Sequence, residues 1–270
     1  MKLSKYLLSV FSLLFLSSCS FTEEITFNPD GSGEFIMSYD MSTMLTALQE
    51  MEGKEKNPNK EMDAPVDSVL YYNDLIIGKE DSIAKLPKEE QEKLAKLKDI
   101  ILKIKMNEAT NEMVFGFGST FKSIEDLPNA LERINSAKSV NNSDNPQYEK
   151  MSSSAIGKSS ESALENVTFT FKNNVFSRIY TAPVDIEAKE EEKTTIEEVN
   201  SEIAEMGEEF KEAFELMSYN IVYHFPKKIK STTQKDAIIS EDGKTLTLKL
   251  KFLELIEKPE ISSLNVILED

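Results

Sequence analysis

Glu24-Ile25-Thr26-Phe27-Asn28-Pro29-Asp30-Gly31-Ser32-Gly33, followed by Phe35, Met37 and Tyr39, decides the fold class. Ile25 and Phe27 alternate with Glu24 and Thr26, and the alternation resumes after the turn. A period of two sends successive side chains to opposite faces of a strand. Between the two runs, Pro29 presets φ, Asp30 can bond its own backbone, and Gly31 accepts a positive φ. The stretch therefore predicts a β-hairpin with one apolar face.

The same signature recurs downstream. Ile100, Leu102, Ile104 and Met106 alternate with lysines, turn through Asn107 to Asn111, and continue in Met113, Phe115 and Phe117. Val167, Phe169 and Phe171 pair with Val175 to Tyr180 across Asn173-Asn174, two residues suited to a tight turn. Near the C-terminus come Ile221, Tyr223 and Phe225, then Leu246, Leu248, Leu250 and Phe252 after a Glu241-Asp242-Gly243 turn, and finally Leu264, Val266 and Leu268. Polar residues fill the other phase, so each strand is expected to have one wet side.

Helices are expected after hairpins. Ser42 can cap a helix over Thr43 to Met51, and Ser123 or Asp126 one running to Ala137. Thr195 to Met217 has a stripe at Ile196, Val199, Ile203, Met206, Phe210, Phe214 and Met217. Lys88 to Lys98 is a charged helix with a thin Leu94/Leu97 stripe. The sequence thus predicts an α+β fold: antiparallel hairpins form one or two sheets, helices pack on one face, and the hairpin–helix order appears about three times. Two polar stretches, Gly53 to Pro65 and Val140 to Glu161, read as mobile. The expected organisation is a removable leader over 1–18, an N-terminal α+β region over 19–138, a Ser/Asn-rich loop over 139–163, and a C-terminal α+β region over 164–270. The C-terminal region is expected to complete the same body, because a lone hairpin is unstable.

The leader has three parts. Lys2 and Lys5 make a positive start, Tyr6 to Leu16 is an apolar run broken only by Ser9 and Ser12, and Leu16-Ser17-Ser18-Cys19 follows. The run is too short to span a bilayer, which takes about 20 residues, and fits a signal-peptide core. The tetrapeptide resembles the lipobox of bacterial lipoproteins, which implies cleavage before Cys19 and diacylglycerol on its thiol. Cys19 is the one cysteine of 270 residues, so an internal disulfide is impossible. Acyl chains bury about 0.8 kcal/mol per methylene and would anchor the chain stably. Ser20 stands where an Asp would imply inner-membrane retention, so the outer membrane is favoured. Glu23 and Glu24 resemble the acidic stretch that sends some Bacteroidota lipoproteins to the cell surface. Periplasmic and surface-facing positions both stay open.

Cleavage removes two lysines and no acid, taking the net charge from −17 to −19. Such a body is repelled by nucleic acid and by bare anionic surfaces. The expected partners are the membrane, through lipid on Cys19, and an envelope protein, lipid or glycan.

No constellation of the chain makes a strong case for chemistry. His224 is the one histidine and the one cysteine is Cys19, so a zinc site lacks ligands, and His224 reads as a solvent-side strand residue. Asn28 to Gly33 and Glu241 to Gly243 lack the spacing of a calcium loop and read as turns. Ser82-Ile83-Ala84-Lys85, Ser143-Asp144-Asn145 and Lys244-Thr245-Leu246 follow the order of the three boxes of serine penicillin-binding enzymes, and Glu161-Ser162-Ala163-Leu164 lies between the second and third. The third box has Leu246 where close substrate approach needs glycine, and the second lies in the Ser/Asn-rich stretch. Asp67-Ser68-Val69 and Asp81-Ser82-Ile83 resemble an O-glycosylation sequon, which if occupied would put Ser68 and Ser82 on the surface. No phosphate-cradling glycine loop, Cys-His pair or basic–aromatic patch occurs, and no cofactor is expected. The acidic run Glu187 to Glu192 reads as solvated surface.

Taken together, the early hairpin from Glu24 to Gly33, the helix at Met41 to Met51, Phe225-Pro226-Lys227-Lys228-Ile229 and Ser240-Glu241-Asp242-Gly243-Lys244-Thr245 resemble LppM-like envelope lipoproteins. That resemblance implies an envelope protein without known catalysis, contacting lipids or glycolipids, and supplies no functional residues. Two functions stay open. One is a lipid-anchored, non-enzymatic binding or scaffolding module; the alternative is an envelope hydrolase using carboxylates or Ser82/Lys85.

Overall fold

The structure is a computed structural model that describes residues 20–42, 64–107, 109–142, 155, 158, 164, 166–184, 186–205, 211 and 214–270. It is mixed α+β, with two sheets and several helices. The first hairpin is β1 (Ser20–Phe27) and β2 (Gly33–Asp40), paired from Ser20 with Asp40 to Phe27 with Gly33. Its turn behaves as its residues dictate: Gly31 has φ +87°, and Asp30 Oδ1 accepts the Ser32 N–H at 3.0 Å. β4 (Ile100–Asn107) and β5 (Glu112–Phe121) form the second hairpin. β6 (Val167–Lys172) and β7 (Val175–Tyr180) form the third, and Asn173 and Asn174 both take positive φ as a two-residue turn requires.

Five further strands come from the C-terminal third and one from the N-terminal third. β8 (Ser218–His224) and β11 (Thr245–Lys251) match the alternating runs, although β11 stops one residue before Phe252, which opens a helix. β12 (Leu264–Leu268) also matches. Sequence alternation does not reveal β3 (Val66–Tyr71), β9 (Ile229–Thr232) or β10 (Ile238–Ile239). The larger sheet has the order β10-β11-β8-β1-β2-β5-β4-β3, and the smaller β6-β7-β12-β9. Among the described residues all strand pairings are antiparallel except β1 with β8, which run parallel with Ser20 opposite Ser218. Strands from both ends of the chain therefore flank β1.

The two sheets face each other over one apolar layer. From the large sheet come Ile25, Phe27, Phe35, Tyr219, Ile221, Tyr223, Leu246 and Leu248; from the small one come Phe176, Leu264, Val266 and Leu268. Phe27 stacks on Phe225 at 5.5 Å and meets Phe176 edge-on at 5.3 Å. Beside the small sheet, on the same inner face, lies the helix Leu127–Asn142, which buries Leu127, Ala130, Ile134 and Ala137 against β5, β2 and β4. A 3₁₀ turn at Ile124–Asp126 precedes it, and Asp126 accepts the Lys122 N–H and the Asn129 side chain.

Several expectations change. The helix ending in the Ser/Asn-rich stretch runs on to Asn142; most of 143–163 lies outside the described residues, as do Gly53 to Asp63 and Thr43 to Met51. The helix expected from Thr195 begins at Ile186 and is described to Glu205, because its Glu- and Lys-rich start has high helix propensity without an apolar stripe. Val199 and Ile203 are buried and Ile196 half-buried; Met206 and Phe210 lie outside the described residues. Lys88–Lys96 is helical, and short helices at Tyr72–Ile76 and Glu80–Ile83 connect it to β3. Not every strand has a wet side: Ile36 and Ser38 of β2 and Ile101 of β4 are buried on the outer face. Gly116 and Gly118 of β5 lie between these two strands, and the absence of side chains there lets Ile36 lie across the strand.

Candidate functional site

β1 carries two adjacent carboxylates to opposite faces. Glu23 points inward with Ile25 and Phe27 and is fully buried. It accepts Arg178 Nε at 3.1 Å and Nη2 at 2.9 Å, the Tyr219 hydroxyl at 2.7 Å and the Tyr223 hydroxyl. Arg178 comes from β7 of the other sheet and is also fully buried; its Nη1 donates to Ser262, whose hydroxyl in turn donates to the Pro259 carbonyl at 2.6 Å. The Phe169 ring lies 5.8 Å from the guanidinium carbon. Burial opposes the Arg178 charge, but the Glu23 carboxylate outweighs it and holds the guanidinium pKa above its ordinary value. Burial, and then the same carboxylate, push both tyrosines well up. With every polar atom of the pair engaged, this cluster is a bolt between the sheets, with no open position for a ligand.

Glu24 points to the outer face, where a polar row crosses the sheet. Glu24 Oε1 meets His224 Nε2 at 3.2 Å, and His224 Nδ1 meets Thr245 Oγ1 at 3.0 Å. On the other side Lys103 Nζ donates to Glu24 Oε2 at 3.0 Å. Lys103 sits on β4, with β5 and β2 between it and β1; it reaches over them because Gly116 and Ser38 occupy the intervening positions of its row. Ser38 Oγ is buried there without a hydrogen-bond partner among the described residues. The His224 hydrogen bond, then partial burial in opposition, then Lys103, set the Glu24 pKa near 2, down from an ordinary 4.5. Glu24, His224, Thr245 and Lys103 are all half-buried, so the row is within reach of solvent.

When His224 Nε2–H donates to the carboxylate, Nδ1 is left to accept the Thr245 hydroxyl proton. Hydroxyl, imidazole and carboxylate then stand in the order used for nucleophile activation. The row is also a set of donors and acceptors for a polar ligand lying on the sheet. Alternation alone puts His224 outside, as expected, but its partner Glu24 comes from a strand 200 residues away in sequence.

The other candidates are scattered. Ser82 and Lys85 are exposed in and just after the short helix Glu80–Ile83, in the segment leading away from edge strand β3, whereas Thr245 opens β11 near the opposite edge. Ser143 to Asn145 and Glu161 to Ala163 lie outside the described residues, and so does Cys19. Of the two sequon serines, Ser82 is exposed and Ser68 is half-buried within β3. Glu23 and Glu24, which resemble an acidic sorting stretch, are both ion-paired in the fold, Glu23 fully buried and Glu24 half-buried. Asn28 to Gly33 and Glu241 to Gly243 are turns, and among the described residues no group of three His, Cys, Asp or Glu side chains could hold a metal. Among the described residues no helix is long and apolar enough to cross a membrane.

No family model matches the chain, and no curated protein matches it. Among solved structures, the folded domain of the LppM protein of Mycobacterium tuberculosis, determined by NMR, is similar at 12% identity and a TM-score of 0.35, covering 95% of this chain and 93% of that one. A superposition at that score fixes neither topology nor role.

Sequence alone missed Glu23 and Arg178, although both carried a signal. Phe21, Glu23, Ile25 and Phe27 share one phase of β1, and Phe176, Arg178 and Tyr180 share one phase of β7. An acid and a base, each in the core phase of its strand, are what a buried pair looks like before folding.

Proposed function

We propose that this chain is a lipid-anchored lipoprotein of the bacterial envelope, cut before Cys19, and that it serves as a non-enzymatic binding or scaffolding module at the membrane surface. The observation that carries this reading is the start of β1 at Ser20, one residue beyond the lipobox-like Leu16-Ser17-Ser18-Cys19. A cut before Cys19 leaves every described residue in the mature chain. The central strand then begins beside the lipid, with almost no tether. An outer-membrane position is favoured by Ser20. The partner is a polar envelope molecule, a protein segment or glycan, taken on the half-exposed outer face around Glu24, His224 and Lys103. The net charge of −19 after cleavage argues against nucleic acid.

Metabolic labelling with an alkyne analogue of palmitate tests the anchor. The full-length chain should take up label and fractionate with membranes, and Cys19→Ala should do neither. Label retained by Cys19→Ala would overturn the assignment.

One observation favours a second reading, hydrolysis: the order Thr245, His224, Glu24 described above. Against it, the Thr245 N–H is committed to Ser240 Oγ at 2.9 Å, and β11 is paired with β8 along its length and with β10 at Leu246 and Thr247, the residues next to the hydroxyl. Backbone donors beside the hydroxyl are thus unavailable to a developing oxyanion. An activity probe for serine and threonine hydrolases that labelled Thr245 would replace the binding reading with this one.

A further inference from the structure

One end of the large sheet carries a row of apolar side chains beyond its core. Ser20 faces Asp40, Asp40 faces Val114, Val114 faces Lys105, and Lys105 faces Asp67. One step further out, the Met41 N–H donates to the Met113 carbonyl at 2.8 Å, Met113 faces Met106, and Met106 faces Val66. All four residues continue the inward phase of their strands. Met106 is 39% exposed and Val66 43%, while Met41 and Met113 are half-buried. Across β1 at the same end, Leu216 is 56% exposed and precedes Met217, whose carbonyl accepts the Phe252 N–H. Single exposed apolar residues are ordinary; a row along one end of a sheet is not.

This end is also where the chain meets Cys19. One trans peptide bond places the Cys19 Cα about 3.8 Å from that of Ser20. Ser20 faces Asp40, the residue before Met41. Acyl chains on Cys19 would therefore bring the bilayer surface to the level of this row, whereas the turns at Asn28 to Ser32 and Glu241 to Gly243 lie at the other end of the same strands.

We infer that this rim is a second contact with the membrane: Met41, Met106, Met113, Val66 and Leu216 enter the interfacial layer of the bilayer, and the strands of the large sheet run outward from it. The inference rests on the lipid on Cys19 proposed above. Methionine suits such a role, because its unbranched side chain adapts to a disordered apolar surface. The lipid holds the rim at the bilayer surface, so that a rim contact too weak to bind alone is made at high effective concentration.

The test uses the acylated full-length protein in vesicles of phosphatidylethanolamine and phosphatidylglycerol, some brominated in the acyl chains. Met106→Cys and, at the far end, Asp30→Cys carry an environment-sensitive fluorophore; the thioether at Cys19 leaves the new thiol as the labelling site. Quenching by brominated lipid should be roughly threefold stronger at 106 than at 30. Equal quenching at both positions, with vesicle binding still dependent on Cys19, would leave the anchor standing and overturn the rim. A mature mass without the diacylglyceryl group would overturn the anchor itself, and the rim inference with it. A blue shift at 106 that grows with protein concentration but is not quenched by bromolipid would mean that a second copy covers the rim, which also overturns the inference.

Discussion

Glu23 and Glu24 are neighbours in the chain and live in different media. Glu23 sits in a dry layer between two sheets, held by a guanidinium and two phenols from elements some 150 to 200 residues away in sequence. Glu24 lies on a half-wet face and is held by a lysine and an imidazole. The same functional group thus supplies two different things. In the dry layer the ion pair specifies which surfaces meet, because a charge without its partner there is intolerable. On the wet face water competes for each contact, so the row contributes modestly to stability and leaves its groups available to others.

Removing one side of the inner pair should produce the largest effect. Glu23→Ala leaves Arg178 charged and buried, and should cost about 3–5 kcal/mol in chemical denaturation. Replacing the pair together with the two hydroxyls that depend on it, as in E23L/R178M/Y219F/Y223F, should recover most of that loss. If the combined variant were as unstable as the single, specificity of pairing would not be what the cluster supplies.

A smaller loss should follow from crowding the outer face. A Cβ at Gly118 would stand 2.5 Å from the Phe35 carbonyl oxygen and 2.7 Å from Ile36 Cγ1. Gly118→Ala should therefore cost about 1–3 kcal/mol, read from the thermal midpoint, because backbone as well as side chain must shift. An unchanged midpoint would show that the strand yields more easily than its pairing suggests.

The smallest effect belongs to Glu24. Its pKa is drawn down to about 2, so the carboxylate stabilises the fold above its ordinary value of 4.5, and that contribution fades as pH falls towards 2. Glu24→Gln should lower stability at neutral pH by less than about 1 kcal/mol and flatten the acid limb of the stability curve between those values. An acid limb as steep as in the parent would assign the acid sensitivity to other carboxylates.

Legibility followed locality. The three hairpins were readable because alternation and turn chemistry sit within a dozen residues, as with Asn173-Asn174 between Phe171 and Phe176. β3 was not, because an edge strand with Val66 and Val69 both exposed has no clean alternation. β9 and β10 are too short to show a period. The pairing of β1 with β8 leaves no local trace, so neither the bolt nor the Thr245–His224–Glu24 row could be assembled from the sequence. Only the phases of Glu23, Arg178 and His224 were written there.

The parallel pairing of β1 with β8 also sets an order in time. A chain delivered from its N-terminus can close β1 on β2 early, but the other edge of β1 waits for Ser218 and the residues beyond it. Until then the strand nearest Cys19 keeps a row of open amides and carbonyls, the kind of edge that invites wrong partners. Closing it spans about 200 residues of chain, which makes the central pairing slow compared with the hairpins. The first strand of the described residues is thus among the last to be completed.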